Sequence, residues 1–141
     1  MRDALHRRRA GAHSLRMNER RPVWAWLFFA QLALVVTATV LAATGHFPAS
    51  TFQRAPADKI GHLVAYGGLA FFAVAFFGRA RRWRVVGTLL VVATLEELSQ
   101  RAFPTRTFDL GDLAMNLIGI LVFGAGAARL IAIARARLRT G

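Results

Sequence analysis

Cysteine is absent from the 141 residues, which excludes disulfides, thiolate nucleophiles and cysteine-ligated metals and leaves the redox compartment open. Acids are scarce, with seven Asp and Glu against nineteen Lys and Arg and a formal charge of +12. No G-x-S-x-G elbow occurs and Ser99 has no base assigned to it, so covalent acyl chemistry has no support. There is no HExxH, no histidine pair and no close carboxylate cluster on one helix, so neither a metal nor another cofactor is expected. If a metal were held, His62, Glu97 and Asp112 would be its ligands, since one nitrogen and two oxygens suit zinc or manganese.

What the chain has instead is apolar residues gathered in blocks. Hydrophobic residues make up 55% and the mean hydropathy is +0.40. A membrane-spanning helix needs about 20 mostly apolar residues. Four such blocks use most of the length, leaving no room for a water-soluble catalytic module. The basic excess could serve phosphate binding on nucleic acid, but the arginines flank the apolar blocks, which is how membrane proteins record orientation. No nucleic-acid partner is expected.

Residues 1–22 carry seven arginines against Asp3 and Glu19 and read as a disordered basic cytoplasmic arm. Residues 23–134 form the membrane domain and 135–141 a basic cytoplasmic tail. The first span, Val23 to Ala43, is longer than the apolar part of a signal peptide and is read as retained, with cleavage after Ala42 or Ala43 as the alternative. Trp24 and Trp26 are its interfacial anchors. Gly45, Pro48 and Pro56 mark a loop, with His46 as a solvated loop histidine. The second span is Ile60 to Phe77, the third Val85 to about Phe103, and the fourth runs from Leu110, capped by Asp109 or Thr107, to about Ala134. Lys and Arg crowd the arm, the loop from Gly78 to Arg84 and the tail, so both termini and that loop are assigned to the cytoplasm. The expected fold is all-α, an integral membrane bundle of four transmembrane helices.

Polar residues interrupt this pattern mainly between Glu96 and Gly119. A charge at the centre of a spanning helix costs about 2.5 kcal/mol or more on insertion scales, so such residues normally face protein or a wet cavity. Spacings of three and four put Asp58, His62 and Tyr66 on one stripe, Glu97 or Glu96 beside Gln100 on another, and Asp109, Asp112, Asn116 and Gly119 on a third. Taken singly, these are caps, snorkelling ends and packing residues. With about 1.5 Å of rise per residue, Tyr66 lies about 17 Å from Phe77, Glu97 about 18 Å from Val85 and Asn116 about 20 Å from Arg129. They share one level, with Lys59, Arg101 and Arg106 nearer the outer rim, which makes an outward-opening crevice, acids deep and bases shallow.

These residues resemble the VanZ-like family, whose pattern is D-K-x-x-H-x-x-x-Y, then E-x-x-Q, then R-x5-D-x3-N-x2-G. The chain matches with Asp58, Lys59, His62 and Tyr66, then Glu97 and Gln100, then Arg106, Asp112, Asn116 and Gly119, over roughly Ala57 to Gly124. Glu96 matches the acid that often precedes the glutamate. The long basic arm departs from the pattern. The resemblance implies a four-helix protein of the bacterial cytoplasmic membrane and, through the founding member, a link to low-level teicoplanin resistance. It does not supply a reaction.

Two functions compete. In one, the crevice binds a membrane lipid, a wall precursor or a glycopeptide through Asp58, Lys59, Tyr66, Glu96, Gln100, Arg106 and Asn116. In the other, an enzyme acts on an anionic or sugar-bearing lipid headgroup, with Arg106 and Lys59 holding the anion, Glu97 or His62 transferring the proton and Asp112 orienting it. A purely architectural network is the third possibility, but intramembrane polar contacts average only about 0.6 kcal/mol in one measured system, a weak reason to bury acids.

Overall fold

The computed structural model describes residues 21–46, 56–104 and 107–140. The arm up to residue 20 and the crevice residue Arg106 lie outside the described residues, as does most of the first loop. Four helices and no strand occur among the described residues: α1 (Arg21–Ala43), α2 (Ala57–Phe77), α3 (Arg82–Ser99) and α4 (Leu110–Thr140). Short 3-10 turns at Arg79–Arg81 and Gln100–Ala102 flank α3. Three helices are long and apolar enough to cross a membrane, over Pro22–Ala43, Ala57–Phe77 and Leu110–Arg137. Helix α3 is not among them: its 18 residues carry Arg82 and Arg84 at one end and Glu96 and Glu97 at the other. It also stops at Ser99 rather than near Phe103, because the chain tightens into a 3-10 turn before the extended Phe103 and Pro104. Helix α4 continues past Ala134 through the basic tail, whose Ala, Leu and Arg are strong helix formers with no breaker among them.

Helix α2 lies parallel to α4 along the most extensive interface of the fold. The two backbones nearly touch at Gly67 and Gly119. A Cβ at Gly119 would stand 2.5 Å from the Leu63 carbonyl oxygen, and one at Gly67 would meet the Phe123 ring at 3.0 Å. This is the small-residue packing that lets helices associate where water gives no hydrophobic drive. Further along the same seam Ala70 and Val74 are fully buried, with Ile120 and Ala127 buried opposite. Helix α3 runs antiparallel to both, placing Val86 against Gly124 and Ala70 in the core. Its direction is reversed at Gly78, whose φ of 87° suits glycine and whose N–H closes α2 on the Val74 carbonyl at 2.9 Å.

Helix α1 is held against α2 by rings and one amide. Trp24 packs on Phe71 and Phe72, and Phe28 stacks on Phe76 at 5.7 Å between centroids. The Gln31 amide donates to the Ala65 carbonyl at 3.0 Å, beside Gly68. Trp24 is thus a packing residue, whereas Trp26 is 76% exposed. The outer surface is apolar throughout, with Leu34, Val64, Leu95, Val122 and Leu130 all more than half exposed. Apolar faces of this extent are stable only against lipid or protein.

Overpacking the α2–α4 seam should therefore cost stability. Gly119→Ala is expected to lower the melting temperature in detergent through a loss of roughly 1–3 kcal/mol. Gly126→Ala, where a Cβ meets nothing within 4 Å, should leave it unchanged.

Candidate functional site

Because α2 and α4 run in the same direction, their first turns lie side by side, and each carries a polar pair one turn apart: Asp58 with His62, and Asp112 with Asn116. Asp109 caps α4, its Oδ1 accepting the Gly111 N–H at 2.6 Å.

Lys59 bridges the two elements. Its ammonium donates to Asp109 Oδ2 and to Asp112 Oδ1, each at 3.0 Å. The basic residue is thus engaged by two acids rather than standing apart at the rim. Behind it, His62 Nδ1 lies 3.1 Å from Asn116 Oδ1. On the opposite edge of the ring, Nε2 lies 3.7 Å from Asp112 Oδ2 and 3.9 Å from Asp58 Oδ1. One atom from each of Asp58, His62 and Asp112 falls within 4.8 Å of the others, so these are the residues that could hold a metal ion. The sequence had offered Glu97 in place of Asp58. Asn116 is fully buried, and its Nδ2 has no hydrogen-bond partner.

Helix α3 supplies the third wall. Glu97 is completely buried; its carboxylate accepts from the Gln100 amide at 2.9 Å and from the Asp109 backbone N–H at 3.2 Å. Gln100 also reaches Glu96 at 3.5 Å. Tyr66 is buried in the core, while the Asn116 oxygen faces His62. Asp109 therefore ties all three helices together, a role that its sequence position, suited to a cap, did not announce.

Exposure falls with depth. Side-chain exposure is 49% at Asp109 and 34% at Lys59, 16% at His62 and 9% at Asp112, and the buried polar residues Glu97, Gln100, Asp112 and Asn116 all belong to this one end. Arg101 turns away, its guanidinium 4.3 Å over the Phe108 ring. His46 is exposed. A cavity of about 480 Å³ lies at the opposite end, between α3 and α4, where Arg79, Arg82 and Arg129 rim an apolar groove. It holds no acid and no histidine, so the acid–base set is not there.

A family model described as VanZ/LLP1 matches residues 9–132. The chain belongs to the VanZ/LLP1 family. No curated protein and no solved structure matches it. Apart from Arg106, which lies outside the described residues, the residues carrying the VanZ-like pattern sit in or beside the cluster at the shared end of α2, α3 and α4, except Gly119, which serves the seam beneath it. Together with three apolar helices of spanning length, this makes the VanZ/LLP1 chain a membrane protein.

The Lys59 ammonium hydrogen-bonded to Asp109, with help from the Gly111 N–H, holds the Asp109 carboxyl below the usual aspartate range. A depressed carboxylate adds stability that is present above its unfolded value and is lost as pH falls through the folded one. Wild type should accordingly melt higher than Asp109→Asn at about pH 6, and the gap should close as pH drops below about 4, the ordinary aspartate range.

Proposed function

We propose that this VanZ/LLP1 protein sits in the bacterial cytoplasmic membrane with both termini inside, and that its polar end opens outward to bind the headgroup of an envelope lipid, a wall precursor or a glycopeptide. Helix α3 is the fourth crossing in this arrangement. The Arg-rich turn between α2 and α3 then faces the cytoplasm, in keeping with the bias of Lys and Arg toward that side. The observation that carries the reading is the concentration of Glu97, Gln100, Asp112 and Asn116, all buried, at one end of an otherwise apolar bundle. Burying acids in a membrane protein is costly, and helix association alone needs no more than the Gly67–Gly119 seam already provides. Function is the remaining reason to keep them.

Within such a site, Lys59 and Arg106 would meet a phosphate or carboxylate, and the Asp109 to Asp112 gradient of exposure gives the headgroup its way in. Envelope modification that alters access of a teicoplanin-type antibiotic is the physiological consequence this supports. A second reading is favoured by one feature: His62 lies between two carboxylates. That is an arrangement suited to proton transfer in an enzyme acting on an anionic or sugar-bearing lipid headgroup.

Profiles of lipids and wall precursors from cells with and without the protein separate these readings. Unchanged headgroups with altered glycopeptide susceptibility are expected for binding, and a new or missing headgroup for catalysis. Glu97→Gln should retain most of the susceptibility effect in the first case. In the second it should lower turnover by about 10²–10⁴-fold, the usual contribution of a general acid or base. A profile and a susceptibility both indifferent to the protein would contradict either reading.

A further inference from the structure

We propose that Asp58, His62 and Asp112 form a site for one divalent transition-metal cation of the zinc or manganese class, with Asn116 orienting His62. The site stands independently of the headgroup reading, since it needs only these four side chains.

The separations carry the argument. His62 Nε2 is 3.7 Å from Asp112 Oδ2 and 3.9 Å from Asp58 Oδ1, both beyond hydrogen-bond range. An imidazolium simply paired with these acids would draw them closer. Ligands bonded to a common ion at about 2.0–2.2 Å stand roughly 3–4.3 Å apart; both histidine–carboxylate separations fall in that range, and the three ligand atoms all lie within 4.8 Å of one another. The oxygens are also divided between partners: Asp112 gives Oδ1 to Lys59 and turns Oδ2 toward the histidine. With Asn116 Oδ1 accepting the Nδ1 proton, Nε2 keeps its lone pair between the two carboxylates, the tautomer a metal requires.

A second observation points to a ligand rather than to an ion-pair network. The same Asn116 side chain is wholly buried, and its Nδ2 donor has no acceptor. Buried amides are almost always paired, so this unpaired donor, on the amide whose oxygen faces His62 Nδ1, calls for an acceptor that the described residues do not provide. An oxygen of a bound ligand or water supplies it. Charge agrees, since Asp58, Asp109 and Asp112 outnumber the one ammonium of Lys59 and leave the cluster net negative. One nitrogen with two carboxylate oxygens suits zinc or manganese better than magnesium.

The competing arrangement is the reversed amide, in which Nδ2 donates to His62 Nδ1, the imidazole proton moves to Nε2 and no lone pair faces the acids. The two differ in metal affinity. Full-length protein in detergent, stripped with chelator and dialysed, is titrated with Mn²⁺ while the free-ion electron paramagnetic resonance signal is followed, and Zn²⁺ is then added as competitor. One Mn²⁺ per chain is expected, displaced by Zn²⁺, with affinity weakened at least tenfold in His62→Ala and in Asp58→Asn. His46→Ala should match wild type. Asp58 is partly exposed and makes only a long contact to His62, so its near-isosteric variant keeps the test available if His62→Ala misfolds. A folded wild type with no saturable site would overturn the proposal, as would binding that both substitutions leave intact. Mn²⁺ bound at this site by a protein that captures no headgroup would uphold the cation and remove the headgroup reading. Headgroup capture without Mn²⁺ binding would do the opposite.

Discussion

The parallel contact of α2 and α4 at Gly67 and Gly119 is the constraint on which the rest depends. Where a side chain would force the helices several ångströms apart, two glycines let backbone meet backbone, with only 2.5 Å between the Leu63 carbonyl oxygen and the position of a Cβ at Gly119. That closeness, about two and a half turns in from the helix starts, sets the register in which Lys59 reaches Asp112 and His62 reaches Asn116. Helix–helix distances are usually 8–10 Å, and neither of these short side-chain bridges tolerates much widening. The polar cluster is thus built on a packing device that contains no polar group.

Asp109 and Lys59 connect this seam to the third wall. One aspartate caps α4 with its side chain, pairs with the α2 lysine and donates its backbone N–H to the buried Glu97 of α3. The arrangement explains how a fully buried glutamate is accommodated: it has two donors, one from its own helix end and one from the start of α4. Buried charge without such partners is strongly destabilising, whereas a paired one is tolerated and available for chemistry.

Much of this was legible in the residues. Apolar blocks of spanning length gave the helices, and spacings of three and four brought Asp58 with His62, Asp112 with Asn116 and Glu97 with Gln100 onto shared faces before any coordinates existed. Helical periodicity is a local property, so it could place residues on a stripe but not decide which stripe they meet. Asp58 and not Glu97 accordingly joins His62 and Asp112, and Lys59 is drawn onto two aspartates. Gly67 and Gln31 passed unnoticed for the same reason: a glycine or an amide inside an apolar run has no partner in the sequence, although a lone amide in a helix as apolar as α1 was a signal available to read. The ends of α3 and α4 differed because a 3-10 turn and a run of helix formers act on a scale that charge counting does not resolve.

The absence of native cysteine makes the central claim directly measurable. A Cβ at Gly124 would lie 3.9 Å from the Ala70 Cβ, within the roughly 3.5–4.5 Å that a disulfide spans. Membranes carrying Ala70→Cys with Gly124→Cys, treated with a lipid-permeant copper oxidant, should give an intramolecular cross-link, while Ala70→Cys with Gly126→Cys should not. Failure of the first pair to cross-link in folded protein, or equal cross-linking of both, would contradict the α2–α4 register and with it the cluster of acids and histidine built upon it.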